Sequence, residues 1–278
     1  MHLSPVDPNH PPALTDAEAT PPAAIPKGDA LVAATAALSE RLGAAQALLT
    51  AEARRAVLVV LQGRDTSGKD GTIRHVFSAC SPLGLRVAAF AAPSSQERAH
   101  DYLWRVHAAC PPRGAIGIFN RSHYEDVLAV RARGLAPEAV WSRRFRHIAE
   151  FERMLADEGT VVLKFFLHIS RAEQAERLRA RLDDPAKNWK FDAGDLDDRM
   201  RWEAYTEAYR AVFARTSTEH APWYLVPADK QKARNYLVAE VLVRTLEAMD
   251  PQPPRLPPEH LEAHRAALDA QLAGEGEA

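Results

Sequence analysis

The sequence predicts an α/β protein of three layers around a parallel five-stranded sheet, and three observations carry that prediction. Ala56-Val57-Leu58-Val59-Val60-Leu61 is an unbroken aliphatic run rich in β-branched residues, the pattern of a strand buried on both faces of a parallel sheet. Comparable runs recur at residues 86–90, 115–119, 161–169 and 223–226, and the first four of the five lead into stretches with helical signals. Directly after the first run stands a glycine-rich loop, residues 63–71, set between a strand and a helix. Strand and helix in alternation imply right-handed crossovers, which bring ligand chemistry to the carboxyl ends of the strands.

Taken in order, residues 1–26 and 251–258 hold most of the 20 prolines. Their fixed φ and missing N–H suit extended arms or clasps lying on a surface. Between Asp29 and Arg55, Leu31, Leu38, Leu42, Ala45 and Leu49 recur at helical spacing and predict an amphipathic helix packed on the domain that follows. Two later helices open on Ser94-x-x-Glu97 and Ser170-x-x-Glu173, capping boxes in which a hydroxyl and a carboxylate satisfy orphan amides. The expected boundaries are an extended arm over 1–28, one domain over 29–250 with a helical lid at 177–200, and a C-terminal tail over 251–278.

Composition excludes several classes of function. The formal net charge is -2, from 35 basic and 37 acidic residues, so no bulk field favours nucleic acid or an anionic membrane, and an anionic substrate needs a local cluster. The start of the chain lacks a basic stretch followed by an apolar one, so it reads as neither signal peptide nor membrane span. Two cysteines, Cys80 and Cys110, are too few for a disulfide framework and fit a reducing, cytoplasmic setting.

The loop reads Gly63-Arg64-Asp65-Thr66-Ser67-Gly68-Lys69-Asp70-Gly71 and matches G-x4-G-K in the context that motif requires. Gly63, Gly68 and Gly71, with Thr66 and Ser67 between them, let backbone amides turn inward around a phosphate. The next helix points its positive end at the anion, and Lys69 adds a mobile charge. The plain alternative is a turn that only links strand to helix. Asp70 stands where the usual motif has Ser or Thr, so the hydroxyl that normally ligates magnesium is missing. Asp65 is the nearest carboxylate able to hold the metal, unless it only stabilises the turn by bonding its own backbone.

After the third run comes Phe119-Asn120-Arg121-Ser122-His123-Tyr124-Glu125-Asp126, which a doubly wound sheet sets beside the phosphate loop. Arg121 can fork onto a phosphate, and Glu125 and Asp126 can ligate magnesium or orient an acceptor. Asn120 and Tyr124 join Glu125 as nucleotide-binding candidates, and Asp126 joins Asp65 as a metal candidate. A first turn simply rich in acids is the competing reading, and His123 reads as a packing residue. Further on, Arg177, Arg179, Arg181, Lys187, Lys190, Arg199 and Arg201 alternate with acids, and Arg177 and Arg181 share a helix face. Pro185, Asn188, Trp189 and Gly194 interrupt the helix, which favours a mobile lid with inward cations over a solvated face.

Together these three stretches, the last being Arg177…Arg181-x3-Pro185-x-Lys187-x-Trp189-Lys190…Asp195, closely resemble the polyphosphate kinase 2 family over roughly residues 30–250. The resemblance implies a thymidylate-kinase-like P-loop kinase fold and magnesium-dependent transfer of the terminal phosphoryl group of inorganic polyphosphate to nucleotides. It matches Asp65 and Lys69 to the family's first motif, Arg121 to its second, and Arg181 to a lid arginine. The commonest second motif, Asp-Arg-Ser-Trp-Tyr-Asn-Arg, is altered here at Asn120, His123, Glu125 and Asp126. That variant looks like the third class, which phosphorylates both AMP and ADP. The implied partners are polyphosphate and adenine nucleotides, with guanine nucleotides as an extension, in a homo-oligomer, and with manganese as a substitute metal. An ATP-dependent nucleoside monophosphate kinase and a nucleotide-binding module without chemistry are the rival readings.

Overall fold

A computed structural model describes residues 2–275. Its strands are β1 (Ala56–Gln62), β2 (Leu85–Ala89), β3 (Ile116–Asn120), β4 (Thr160–His168) and β5 (Trp223–Pro227), all parallel in the order β2-β3-β1-β4-β5. The helices are α1 (Gly28–Glu52), α2 (Lys69–Val76), α3 (Ser95–Arg98), α4 (Trp104–Ala109), α5 (Ala129–Ala132), α6 (Glu138–Asp157), α7 (Arg171–Asp183), α8 (Ala193–Met200), α9 (Trp202–Thr216), α10 (Gln231–Met249) and α11 (Pro258–Glu275).

β1 is the central strand, and it explains why its run does not alternate. Val57, Val59 and Leu61 enter one core layer, with Leu42 and Leu49 of α1 and Leu237 and Leu242 of α10. Leu58 and Val60 enter the other, with Ile148 of α6 and Phe213 of α9. Both faces are covered, and each such aliphatic side chain contributes about 1.5–3 kcal/mol of burial.

The Ser94 box is complete, with Ser94 N–H donating to Glu97 at 2.7 Å and Glu97 N–H to Ser94 at 3.2 Å. The Ser170 box is only half formed. Glu173 N–H donates to Ser170 Oγ at 3.2 Å, but Ser170 N–H is already taken by Asp229 at 2.8 Å, and the Glu173 carboxylate accepts from Arg177 at 2.9 Å instead.

The proline-rich arm lies on its own domain. Val6 N–H donates to Trp223 O at 2.8 Å, His168 Nε2 to Thr15 O at 2.8 Å, and Arg171 N–H to Asp16 at 3.1 Å. Leu14, Ala19 and Ile25 are buried, and Asp16–Ala19 is a helical turn rather than extended chain. The C-terminal tail is likewise not extended throughout, since Pro258–Glu275 forms α11, whose side chains over residues 258–273 are exposed. Among the described residues no helix is long and apolar enough to cross a membrane, and both cysteines are free.

Candidate active site

β1 and β3 end side by side, with Leu61 opposite Asn120, so the loop after one strand and the turn after the other leave the sheet together. The tie is direct, because Arg121 N–H donates to Leu61 O at 3.0 Å. Arg121 (φ 62°) and Thr66 (φ 63°) both sit in the left-handed region. Such conformations cost non-glycine residues on the order of 1 kcal/mol or more and concentrate at working sites.

Within the loop, Lys69 Nζ folds back to donate to the carbonyls of Gly63 at 2.8 Å and Arg64 at 3.3 Å. Burial, and then the charge of Arg121, draws its pKa down to about 8. Gly68 (φ 99°) is needed for space as well as conformation, since a Cβ there would stand 1.8 Å from the Arg234 guanidinium. Arg234, buried on α10, donates to Ser67 O at 3.0 Å and supports the loop. The buried hydroxyls of Thr66 and Ser67 have no hydrogen-bond partner among the described residues, an arrangement suited to a polar guest.

Around the loop, charges are interlocked. Arg121 donates to Asp65 at 2.6 Å and lies 3.6 Å from Glu125. Gln62, at the end of β1, donates its amide to Glu125 at 3.1 Å and accepts from Ser122. Burial raises the Glu125 pKa, against the pull of Arg121 and Lys69. Asn120 donates to Asp70 at 2.7 Å, and Lys190, between α7 and α8, reaches Asp70 at 3.9 Å. Arg181 donates to Asp195 at 3.1 Å. Asp195 is pushed up to about 6, by burial and then by the charge of Asp65.

Asp65, Lys69, Arg121, Glu125, Asn120 and Lys190 are thus linked with the loop, while Arg181 is paired with Asp195. Four candidates are placed otherwise. Tyr124 is fully buried, because the helical turn after Ser122 carries it under the sheet, where its hydroxyl donates to Glu152 at 2.8 Å. Asp126 pairs with Arg144 at 3.1 Å, and its charged neighbours are Arg144, Arg105 and His123 rather than Asp65. The Arg177 guanidinium is occupied by the carbonyls of Thr66, Ser67, Ala228 and Asp229, bracing the loop from outside the phosphate cradle. Lys187 is exposed and pairs locally with Asp184 at 2.5 Å. Sequence reasoning missed Arg234, Gln62, Arg64 and the packing role of Gln174. Only Asp195 carried a signal, as part of the lid motif.

Among the described residues no three carboxylate, histidine or cysteine side chains form a ready metal cage. Magnesium rarely asks for one, taking one or two carboxylates together with phosphate oxygens. Asp65 and Asp195, close enough for one charge to raise the other's pKa, fit that requirement, and Asp126 is paired with Arg144.

A family model described as polyphosphate kinase 2 matches residues 27–254. An AMP/ADP-polyphosphate phosphotransferase of Meiothermus ruber is 58% identical over 226 residues, covering 81% of this chain and 85% of the relative. An ADP-polyphosphate phosphotransferase of Rhodopseudomonas palustris is 45% identical over 231 residues, covering 79% and 80%. The crystal structure of polyphosphate kinase 2 from Arthrobacter aurescens TC1 superposes with a TM-score of 0.87 at 38% identity, over 95% of this chain and 91% of that one. With a family match over residues 27–254 and a phosphate loop at the end of a parallel strand, the chain belongs to the polyphosphate kinase 2 family.

Proposed function

We propose that this chain moves the terminal phosphoryl group of inorganic polyphosphate onto AMP and ADP, giving ADP and ATP, by magnesium-assisted in-line transfer between phosphates. One observation carries the reading: a buried Lys69 whose partners are two carbonyls, set in a phosphate loop whose Asp65 is paired with Arg121. The names of the relatives, AMP/ADP- and ADP-polyphosphate phosphotransferase, support the donor and the acceptor range. Adenine nucleotides are the primary acceptors in this reading, with guanine nucleotides as an extension, and the setting is a cytoplasmic homo-oligomer.

The acceptor is a nucleotide phosphate, whose second ionisation lies near pKa ~6. It is already an anion at neutral pH, so the site needs no strong general base. Its work is to bring two polyanions into line and cancel their repulsion. Lys69 and the loop amides hold the donor end, while Arg121 and Arg181 supply charge where the equatorial oxygens develop it. Asp65, with Asp195 or Glu125, would hold the magnesium, which would supply positive charge against the phosphate oxygens. Manganese, with the same taste for oxygen ligands, is expected to substitute.

The test is incubation of the protein with AMP, magnesium and long-chain polyphosphate, with ATP as donor in a parallel tube, and chromatography of the nucleotides. ADP followed by ATP in the polyphosphate tube is the expected result. ADP formed only from ATP would assign the chain to monophosphate kinase chemistry, and no product in either tube would favour a binding module.

A further inference from the structure

We infer that Arg64 is a positioning residue that ties the phosphate loop to the root of the lid, so that Lys69 is held in place by the seating of α8 and α9. The inference rests on the phosphotransfer reading above. Arg64 occupies an unspecified position of the loop motif, yet its side chain is buried and elaborately held. The guanidinium lies 3.7 Å from the centre of the Trp202 ring and donates to Trp202 O at 3.1 Å and Thr206 Oγ1 at 2.6 Å. Its own carbonyl accepts from Lys69 Nζ at 3.3 Å and from Ser67 N–H at 3.1 Å. One residue therefore grips α9 with its side chain and carries the catalytic lysine on its backbone.

The grip falls on a joint. α8 ends at Met200 and α9 begins at Trp202, and Arg201 (φ -90°, ψ 28°) caps both helices. A second link runs beside the first. Arg199 of α8 donates to Gln174 Oε1 at 2.8 Å, and Gln174, buried on α7, donates to Asp65 O at 3.2 Å. Two consecutive loop residues, Arg64 and Asp65, are thus connected to the two sides of one joint.

Packing alone does not explain this choice of side chain. Burying a guanidinium is costly unless its donors are filled, and Arg64 Nε has no partner among the described residues. An apolar side chain of similar length would fill the space beside Trp202 without that cost. What the guanidinium adds is a flat face against the Trp202 ring and two directional bonds from its Nη2 onto α9. A shift of α9 therefore moves the loop, and misplacement of about 1 Å at a reacting group can cost about 100-fold in rate.

The experiment compares Arg64→Met, Thr206→Val and the double variant with wild type, reading kcat, KM for AMP and polyphosphate, melting temperature, and the rate of tryptic cleavage at Lys187 and Lys190. Arg64→Met should lower kcat about 10- to 100-fold with KM for AMP nearly unchanged. Thr206→Val should lower kcat several-fold, and the double variant should be no worse than Arg64→Met alone, since both cut one tie. Arg64→Lys, which keeps the charge and loses the flat face over Trp202, should recover little. Wild-type kcat in Arg64→Met, losses that multiply in the double variant, or losses that merely track melting temperature would each overturn the inference. Wild-type protein inactive with polyphosphate would instead count against the reaction itself. The tie would then be judged by cleavage alone, faster in both single variants if it exists and unchanged if it does not.

Discussion

Lys164 and Lys69 are both buried, one under the sheet and one above its edge, and they are satisfied in opposite ways. Lys164, on β4, donates to Glu152 at 2.5 Å, to Tyr124 Oη at 2.8 Å and to Thr216 O at 2.7 Å. His123 adds a contact to Glu152 at 3.1 Å, and despite burial, Lys164 and His123 hold the Glu152 carboxylate below its usual range. Charge and counter-charge are enclosed together. Lys69 has only two carbonyls, and among the described residues no carboxylate lies within ion-pair distance of it. A buried cation with its own anion belongs to the fold, while one held by neutral dipoles is suited to an anion arriving from solution.

Substitutions at the two lysines separate stability from chemistry. Lys164→Met strands a buried carboxylate and should cost about 3–5 kcal/mol of unfolding free energy. Lys164→Met with Glu152→Leu should regain most of that loss in the same urea titration; no recovery would mean that Glu152 is not the stranded group. Lys69→Met should instead lower kcat about 100- to 1,000-fold, with the melting temperature unchanged or higher, because a costly buried charge has gone. An equal fall in stability at both positions would erase the contrast between the two lysines.

Smaller effects sharpen the same contrast. Asp65→Asn should reduce turnover at limiting magnesium by about 10- to 100-fold, and Asp126→Asn should do distinctly less, since Asp126 serves Arg144. The reverse order would restore Asp126 as the metal ligand. The smallest effect is one of pH. Lys69 has a folded pKa of about 8, below its ordinary 10.5, so the unfolded chain binds more protons between those values. Its contribution to fold stability therefore rises as pH rises through that window. Anion binding moves the other way, because the cation is lost in the free enzyme. Affinity for inorganic tripolyphosphate should weaken as pH passes about 8, and Lys69→Arg should flatten that inflection in a calorimetric titration.

The sheet was legible because its inner strands β1, β3 and β4 are covered on both faces, which writes long apolar runs into them, while the edge strand β2 is largely exposed and shows only a short run. The loop was legible because an anion cradle needs glycines and a lysine at fixed spacing. What escaped was anything decided by distant packing. Tyr124 and Glu125 are adjacent in sequence, yet a helical turn sends one beneath the sheet and the other to the loop. Arg177 and Arg181 share a helix face, but the first is taken by carbonyls of the loop and the strand end before any substrate arrives. Arg234 stands against Gly68 from a helix far along the chain, and no local spacing announces such a meeting.

The arm has a consequence for the order in which the molecule is made. Val6 is bonded to Ser217, 211 positions later, and Leu3 to Arg244, later still by 241. At a synthesis rate of about 5–20 residues per second, roughly 10–50 seconds separate the arm from the surface that receives it. During that interval Leu14 and Ile25 have no completed core to enter, and Asp16 waits for the helix whose first amide it will cap. The segment made before the sheet is therefore placed after it, and docking of the arm marks a chain translated at least to α10.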